Sequence, residues 1–344
     1  MKTGFVYNDI YLEHHQKGHP ENKDRLISIV QGLERRGILK ELVHINPRRA
    51  TAQEVSLNHD PGYVQEVADF CSAGGGYLDP DTYTVPASYE VALHAVGGVL
   101  EGLDRLLKGE LEAVFCAIRP PGHHAEYARA MGFCLFNNIA IGAHYLLKKG
   151  FERVFIVDFD AHHGNGTQRS FYEEDRVFYF SSHEYPFYPG TGSREERGAG
   201  KGYRFTHNEP LPAGAGDEEF ERVYREVFPE LFFDYSPQFL LVSAGYDAHR
   251  DDPLTYLNLS TQGSESSFQT SSMPEGYPCR CSLPLRAVTT LKPLRSASVL
   301  LLRRCWRHRC LARLNTIFFS LYPLSLWPTA FISFISSFWI QPSG

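Results

Sequence analysis

Cysteine is scarce in the part of this 344-residue chain that has regular patterning. Only Cys71, Cys116 and Cys134 occur in the first 263 residues. The opening residues 1–7 are too short and too quickly polar to form a secretory leader. A disulfide framework is therefore not indicated, and we expect unpaired thiols in a reducing compartment, the cytoplasm.

A surplus of basic side chains is also missing from this part of the chain. Residues 1–263 carry 38 acidic and 25 basic side chains, a formal charge of −13. Such a balance argues against direct nucleic-acid binding, because that needs Lys and Arg to neutralise phosphates. It suits a cationic ligand, such as a lysine or polyamine chain.

The remaining residues, 264–344, are poor in acidic residues and lack periodicity. They contain only Glu265 and Glu275 against nine basic residues, and they hold all three Trp and four of the seven Cys. We find neither a helical nor a strand period and no capping pattern there. We therefore predict a domain over 1–263 that is incomplete at its C-terminal end, and an anomalous tail over 264–344. We expect this tail to be out of frame, after a small insertion or deletion near codon 263, or disordered.

A membrane anchor is the alternative for this tail. Residues 314–344 carry no charge and follow the basic stretch 303–309, as a membrane helix with a cytoplasmic flank would. However, Pro323 and Pro328 interrupt the run, and serines fill it. We therefore favour the shifted reading frame and do not expect a membrane partner.

Short apolar runs alternate with amphipathic stretches in residues 1–263. Strands are predicted over 113–118, 154–157, 176–180 and 238–242, and helices over 19–37, 86–109, 138–149 and 217–233. Nearly continuous apolar strands between helices imply one parallel sheet covered on both faces, a three-layer α/β domain. Ligands of such domains bind outside the carboxyl ends of the strands.

Chemically useful side chains follow three of these strands. His123 and His124 come after a Pro-Pro-Gly turn, Asp160 and His162 follow the next strand, and Asp247 follows the last. Two Asp and one His, with a fourth position open, can hold a hydrolytic zinc ion. The paired histidines suit proton transfer. Taken singly, the residues of each motif could belong to the core or to a loop. Together, the three motifs predict a metal-dependent amide hydrolase.

Other polar and aromatic residues near these motifs allow two interpretations. Asp158 shares a face of an extended segment with Asp160, and it either accepts from backbone donors or orients a histidine. From periodicity alone, Phe133 and Tyr188 are ordinary core aromatics.

Ordered motifs in residues 1–263 resemble the zinc-dependent histone deacetylase family, in particular its class II branch and its bacterial acetylpolyamine amidohydrolase and acetoin-utilisation relatives. These motifs are His-Pro-Glu at 19–21 with Arg25, Asp-Pro-Asp-Thr at 79–82, Arg-Pro-Pro-Gly-His-His at 119–124, Gly-Phe-Cys-Leu-Phe-Asn-Asn at 132–138, Asp-Phe-Asp-Ala-His-His-Gly-Asn-Gly-Thr at 158–167, Tyr-Pro-Gly-Thr-Gly at 188–192 and Ser-Ala-Gly-Tyr-Asp at 243–247. The resemblance implies a single domain of the arginase/deacetylase type.

The resemblance also implies roles for individual residues. One zinc ion per chain would be held by Asp160, His162 and Asp247. His124 would be the general base, and His123, backed by Asp158, its proton-transfer partner.

Further roles implied by the resemblance concern the substrate and a second ion. Phe133 and Tyr188 would form the walls of an acyl-lysine channel, and Asp81, or Asp79, would grip the substrate at the rim. A monovalent cation, potassium, would lie beside the zinc, at Asp158, Asp160, His162 and Ser181.

One family feature is missing from the printed sequence: the Glu-Gly-Gly-Tyr-like loop whose tyrosine supplies an oxyanion donor. Glu275-Gly276-Tyr277 is only a partial echo, and it follows Asp247 too closely for the helix and strand that should intervene. Three interpretations therefore stay open. They are a zinc deacylase acting on acetyl-lysine or acetylpolyamine, a catalytically impaired acyl-lysine-binding or scaffold protein, and a two-manganese ureohydrolase. A two-manganese site needs additional bridging carboxylates, and position 165 is an asparagine rather than an aspartate. The oligomeric state is not predicted.

Overall fold

An eight-stranded parallel sheet forms the centre of the protein. The computed structural model describes residues 2–263, together with the backbone of 315–320. Across the sheet the strands run β2 (Val43–Ile45), β1 (Thr3–Val6), β5 (Ala113–Cys116), β10 (Asn315–Ser320), β9 (Phe239–Ala244), β6 (Val154–Asp158), β7 (Val177–Glu184) and β8 (Thr206–Leu211). A separate antiparallel hairpin pairs β3 (Gly76–Asp79) with β4 (Thr82–Thr84).

The helices connect these strands. They are α1 (Asp24–Arg35), α2 (Ala52–Val55), α3 (Pro61–Ser72), α4 (Ser88–Leu107), α5 (Asn138–Lys148), α6 (Asn165–Ser170), α7 (Asp217–Arg222) and α8 (Phe228–Tyr235), with a π-helical turn over Val223–Val227 and 3-10 turns over Asp9–Leu12, Ile38–Glu41 and Gly200–Gly202. Asn137 begins α5 by accepting the amide hydrogen of Ala140, which satisfies a donor that has no partner inside the helix.

Burial along the strands confirms the three-layer α/β architecture. Every residue of β5, β6, β7 and β9 is buried, so both faces of the sheet are covered, because successive strand side chains point to opposite faces. Helices α4 and α5 pack on each other and on the central strands. On β6 and β7, the rings of Phe155 and Phe180 meet Phe228 of α8.

The predicted strands and helices are all present, with boundaries shifted by a few residues. The predicted 217–233 helix contains the π-helical turn over Val223–Val227. Strands β1, β2 and β8 were not predicted, because they are short or carry polar residues.

Strand β10 lies in a stretch for which the sequence predicted no element. It is hydrogen-bonded between β5 and β9, with Ile317 in register with Val114 and Leu241. The rest of the 264–344 tail lies outside the described residues, so its out-of-frame origin and the boundary at 263 stay predictions. Among the described residues, no helix is both long enough and apolar enough to cross a bilayer.

Candidate active site

Neighbouring strands bring the predicted metal ligands together. Strands β6 and β9 pair so that Asp158 is in register with Ser243. Asp160 and His162 follow β6, and Asp247 follows β9, so all three lie at the same edge of the sheet. This is the edge at which ligands of parallel α/β sheets bind.

The carboxylate cluster, Asp160, His162 and Asp247, has its candidate ligand atoms within 4.8 Å of one another. The Nδ1 atom of His162 lies 2.7 Å from Asp247 Oδ2 and 3.2 Å from Asp160 Oδ1. The side chains of both aspartates are fully buried. Asp160 Oδ2 has no hydrogen-bond donor within the described part of the chain, which is unusual for a buried carboxylate.

Electrostatics in this cluster favour bound protons. Burial and the charge of Asp247 raise the pKa of Asp160 to about 7. Burial disfavours a charged His162, but hydrogen bonds and charges from Asp160 and Asp247 outweigh it and raise its pKa to about 10. Two carboxylates and an imidazole form a donor set typical of zinc. These three side chains therefore fit a divalent cation, whose positive charge would take the place of the proton on His162.

The two adjacent histidines differ in their partners. His123 Nδ1 lies 3.0 Å from Asp158 Oδ2, whereas His124 Nδ1 lies 2.8 Å from the amide oxygen of Asn165. Burial opposes a charged His123, but the carboxylate of Asp158 outweighs it and raises the pKa of His123. Burial, followed by the charges of His123 and His162, holds the pKa of His124 well below its usual value. The surroundings therefore shift His123 toward its charged form and His124 toward its neutral form.

Two glycines allow this close packing. A Cβ atom on Gly245 would overlap Asp160, so any side chain there would displace a carboxylate of the cluster. Gly132 has a φ of +55° and faces the ring of His124, which leaves no space for a Cβ atom. Both positions therefore require glycine, the second for its backbone conformation as well.

Aromatic rings surround the outer side of this cluster. The ring of Tyr188 lies 5.2 Å from that of His124 and 6.1 Å from that of His162, and Tyr188 is 36% exposed. The Phe187 ring lies 5.6 Å from His162. Phe133 is half-buried and packs edge-on against His19 at 4.7 Å. The structure thus brings Tyr188 to the cluster and places Phe133 against His19.

The β3–β4 turn supplies carboxylates to the surroundings of Tyr188. Asp81 is half-buried, and burial together with the hydrogen bond and charge of Asp79 raises its pKa to about 6. Asp79 lies 3.5 Å from Arg129. Thr82 links the turn to Phe133, whose backbone N–H donates to Thr82 Oγ1 at 3.0 Å.

Ser181 is buried next to Asp158. Strand pairing places the two residues in register, and the Ser181 hydroxyl lies 2.8 Å from His183 Nδ1. The four residues implied for a monovalent cation, Asp158, Asp160, His162 and Ser181, therefore come from adjacent segments, and a cation among them stays a prediction.

Two residues near the site were not found from the sequence. Phe187 contacts His162, and its position before Tyr188 in the same loop was an available signal. Glu126 accepts a hydrogen bond from Asn165 Nδ2 at 3.0 Å. Its position two residues after His124 was a weaker signal, because an isolated loop glutamate is usually a solvated surface residue.

Comparison with known proteins agrees with this geometry. The family described as "Histone deacetylase domain" matches residues 19–276. A protein from Archaeoglobus fulgidus named as a deacetylase is 43% identical over 266 residues, which are 76% of this chain and 74% of that protein. The protein called "Histone deacetylase 14, chloroplastic", from Arabidopsis thaliana, is 37% identical over 268 residues, 73% of this chain and 63% of that protein.

A solved structure is also similar over most of the chain. The crystal structure of the HDA15 HD domain superposes with a TM-score of 0.80 at 29% sequence identity, and the match covers 97% of this chain and 87% of that one. Sequence motifs, strand-end geometry and these similarities agree, and the chain belongs to the histone deacetylase family.

Proposed function

We propose that this protein hydrolyses the amide bond of an acetylated linear amine, acetyl-lysine or an acetylpolyamine, and releases acetate with the help of one zinc ion. The observation that carries the proposal is the carboxylate cluster, whose Asp160 Oδ2 has no donor within the described residues. This cluster lies beside two buried histidines with opposite protonation preferences.

Asp160, His162 and Asp247 would hold the zinc ion. Bound there, zinc would act as a Lewis acid on the amide carbonyl and make water more acidic. Zinc would also remove the need for the proton on His162, because it satisfies both carboxylates directly.

The two histidines would divide the proton transfers. A neutral His124 can take a proton from the attacking water at Nε2, an atom for which the described residues provide no hydrogen-bond partner. His123, whose pKa is raised by the carboxylate of Asp158, can give a proton to the leaving amine nitrogen. Adjacent groups whose pKa values are shifted in opposite directions are typical of acid–base catalysis.

The surroundings suit an extended alkyl chain with polar groups at its far end. Tyr188 and Phe133 would flank the methylene groups, and Asp81 or Asp79 would accept a hydrogen bond from the substrate. A potassium ion at Asp158, Asp160, His162 and Ser181 would hold these segments in place. The buried, unpaired thiols of Cys71, Cys116 and Cys134 suit a reducing compartment, and we propose the cytoplasm.

A second candidate is a catalytically impaired protein that binds acyl-lysine or serves as a scaffold. It is favoured by the sequence, which lacks a Glu-Gly-Gly-Tyr loop and has only Tyr277 in a partial echo. Tyr277 lies outside the described residues. Loss of one oxyanion donor typically lowers a rate by about 10²–10³-fold.

One experiment separates these functions. The zinc-loaded chain is incubated with an acetyl-lysine peptide and, in parallel, with an acetylated polyamine, and acetate release and ligand binding are both measured. Release that is lost in Asp247→Asn supports the deacetylase, and the faster substrate identifies its class. Tight binding without release supports the impaired form. If the chain neither binds the substrates nor releases acetate, both proposals are wrong. Two bound metal ions per chain would instead favour the ureohydrolase.

The tail needs a separate measurement. Resequencing the gene across codons 250–290, with the intact mass of the natural product, tests the reading frame. A correction of one or two bases that restores an acidic, periodic C-terminus with a tyrosine loop would support the frameshift. An unchanged frame and mass would contradict it.

A further inference from the structure

The proposed base, His124, must carry its hydrogen on one particular ring nitrogen. Nε2 can accept a proton only if Nδ1 holds the hydrogen of the neutral ring. The partner of Nδ1 is the side-chain amide of Asn165, at 2.8 Å. An amide has an accepting and a donating end. If it were rotated by 180°, its NH₂ group would donate to Nδ1, and the hydrogen of His124 would move to Nε2.

His123 does not face this ambiguity. Its partner is the carboxylate of Asp158, 3.0 Å from Nδ1, and an ionised carboxylate can only accept. The Asp158 carboxylate therefore fixes a hydrogen on Nδ1 of His123, and no other group is needed to orient it. For His124, some other group must orient the amide of Asn165.

The surroundings of Asn165 provide that group. Its Nδ2 atom donates to Glu126 Oε1 at 3.0 Å and to the sulfur of Met131 at 3.4 Å. Both atoms are acceptors, and the thioether is the weaker one. Rotation of the amide would place Oδ1 against the Glu126 carboxylate and lose both bonds. Asn165 is only 7% exposed, so water could not easily compensate.

We propose that Glu126 is a positioning residue that, through Asn165, selects the tautomer of His124 in which Nε2 is free to accept a proton. The carboxylate acts two hydrogen bonds away from the ring, through the side-chain amide of Asn165. Its backbone is held in a turn in which its N–H donates to the carbonyl of Arg129 at 3.0 Å. The tautomer assignment stands on geometry alone, and only its catalytic consequence rests on the proposed function.

The tautomer can be measured directly. Zinc-loaded protein with ¹⁵N-labelled histidines is studied by long-range ¹H–¹⁵N correlation spectroscopy, and the His124 signals are identified by their loss in His124→Gln. Wild type should show a protonated Nδ1 and an unprotonated Nε2. In Glu126→Ala, the ratio of the two tautomers should shift by about tenfold or more toward Nε2–H, because the remaining sulfur acceptor is weak.

Two variants serve as controls. Glu126→Gln should retain the wild-type tautomer, since a glutamine oxygen can still accept from Asn165. Glu101→Ala removes a half-buried glutamate that pairs with Arg105 on α4, away from the site, and should leave the His124 signals unchanged.

The Asn165→Asp variant is the protein in which the effect of Glu126→Ala should disappear. A carboxylate at this position accepts from Nδ1 in either orientation, so adding Glu126→Ala there should no longer change the tautomer. An unchanged tautomer in Glu126→Ala alone would overturn the proposal. An equal shift in both backgrounds would also overturn it, because Glu126 would then act by supporting the 126–131 loop.

Turnover gives an independent measurement. Where acetate release is detectable, Glu126→Ala should lower kcat by about 10- to 100-fold, as is typical of groups that orient catalytic ligands, with little change in KM. Recovery of kcat in the Asn165→Asp background is expected. If the chain releases no acetate, the spectroscopic result still decides the role of Glu126, because it does not depend on activity.

Discussion

Two buried charge clusters in this protein each contain fully buried carboxylates, but they differ in whether every carboxylate oxygen has a hydrogen-bond donor. The arginine cluster consists of Glu21, Arg25, Arg119 and Tyr83. Arg119 contacts both Glu21 oxygens at 2.5 Å, and Arg25 donates to Oε1 at 2.9 Å. In the carboxylate cluster, by contrast, Asp160 Oδ2 has no donor within the described part of the chain.

The difference appears in the pKa shifts. Burial opposes ionisation of Glu21, but Arg119 and Arg25 outweigh it and hold its pKa well below the usual range. For Asp160, burial and Asp247 act together and raise the pKa to about 7. A buried carboxylate whose oxygens both have donors, such as Glu21, supports the fold, whereas one with an oxygen that lacks a donor is suited to an additional ligand.

The largest effect should come from breaking the arginine cluster. Glu21→Gln leaves Arg119 buried without a counter-charge, so we expect the free energy of unfolding to fall by about 3–5 kcal/mol. Urea unfolding followed by circular dichroism measures this loss. Zinc affinity of the folded fraction should stay unchanged. A loss below about 1 kcal/mol would contradict the structural role of the cluster.

A smaller, pH-dependent effect should appear in the carboxylate cluster. In the metal-free protein His162 has a raised pKa of about 10, so zinc must displace its proton. Zinc affinity should therefore rise about tenfold per pH unit, about 1.4 kcal/mol, from pH 7 to 9. The dependence should be steeper below pH 7, where Asp160 also holds a proton. Competition with a chelator of known affinity measures this slope, and a flat profile would contradict it.

Replacing a ligand should separate metal binding from stability. Asp160→Asn removes a buried charge whose Oδ2 atom has no donor within the described residues, so the metal-free protein at pH 8 should remain within about 1 kcal/mol of wild type, or become more stable. Zinc binding should be lost. Chemical unfolding without metal, together with zinc titration, tests both parts. A loss comparable to that of Glu21→Gln would show that the two clusters serve the same structural purpose.

The smallest effect is expected at an ion pair whose arginine is exposed. Arg129 has a 62% exposed side chain and lies 3.5 Å from Asp79. Arg129→Ala should change the free energy of unfolding by less than about 0.5 kcal/mol, because solvent screens such pairs. Thermal unfolding at low and high salt measures this. A large, salt-independent loss would mean that Arg129 supports the β3–β4 turn in another way.

The proximity of the three candidate metal ligands was predictable because each follows an apolar strand, and a parallel sheet brings strand ends to one edge. Asp160, His162 and Asp247 were singled out in this way, and the structure brings their candidate ligand atoms within 4.8 Å of one another. Phe133 and Tyr188 were harder to assign, since aromatic residues are common in cores. Only the structure showed that Tyr188 lies against His124 and His162, whereas Phe133 packs on His19.

The position of β10 could not be predicted from its own residues. Strand pairing depends on which neighbours offer free backbone groups, and the edges of β5 and β9 lie far away in sequence. The same holds for Glu126, whose contact with Asn165 spans 39 residues.

The sequence by itself determined the alternation of strands and helices and the types of donor atoms at the strand ends, because both depend on local pattern and residue chemistry. The tertiary structure decided which buried charges are compensated, which end of an amide faces His124, and how the strands are ordered. These properties depend on contacts between distant segments, and a linear pattern does not contain them.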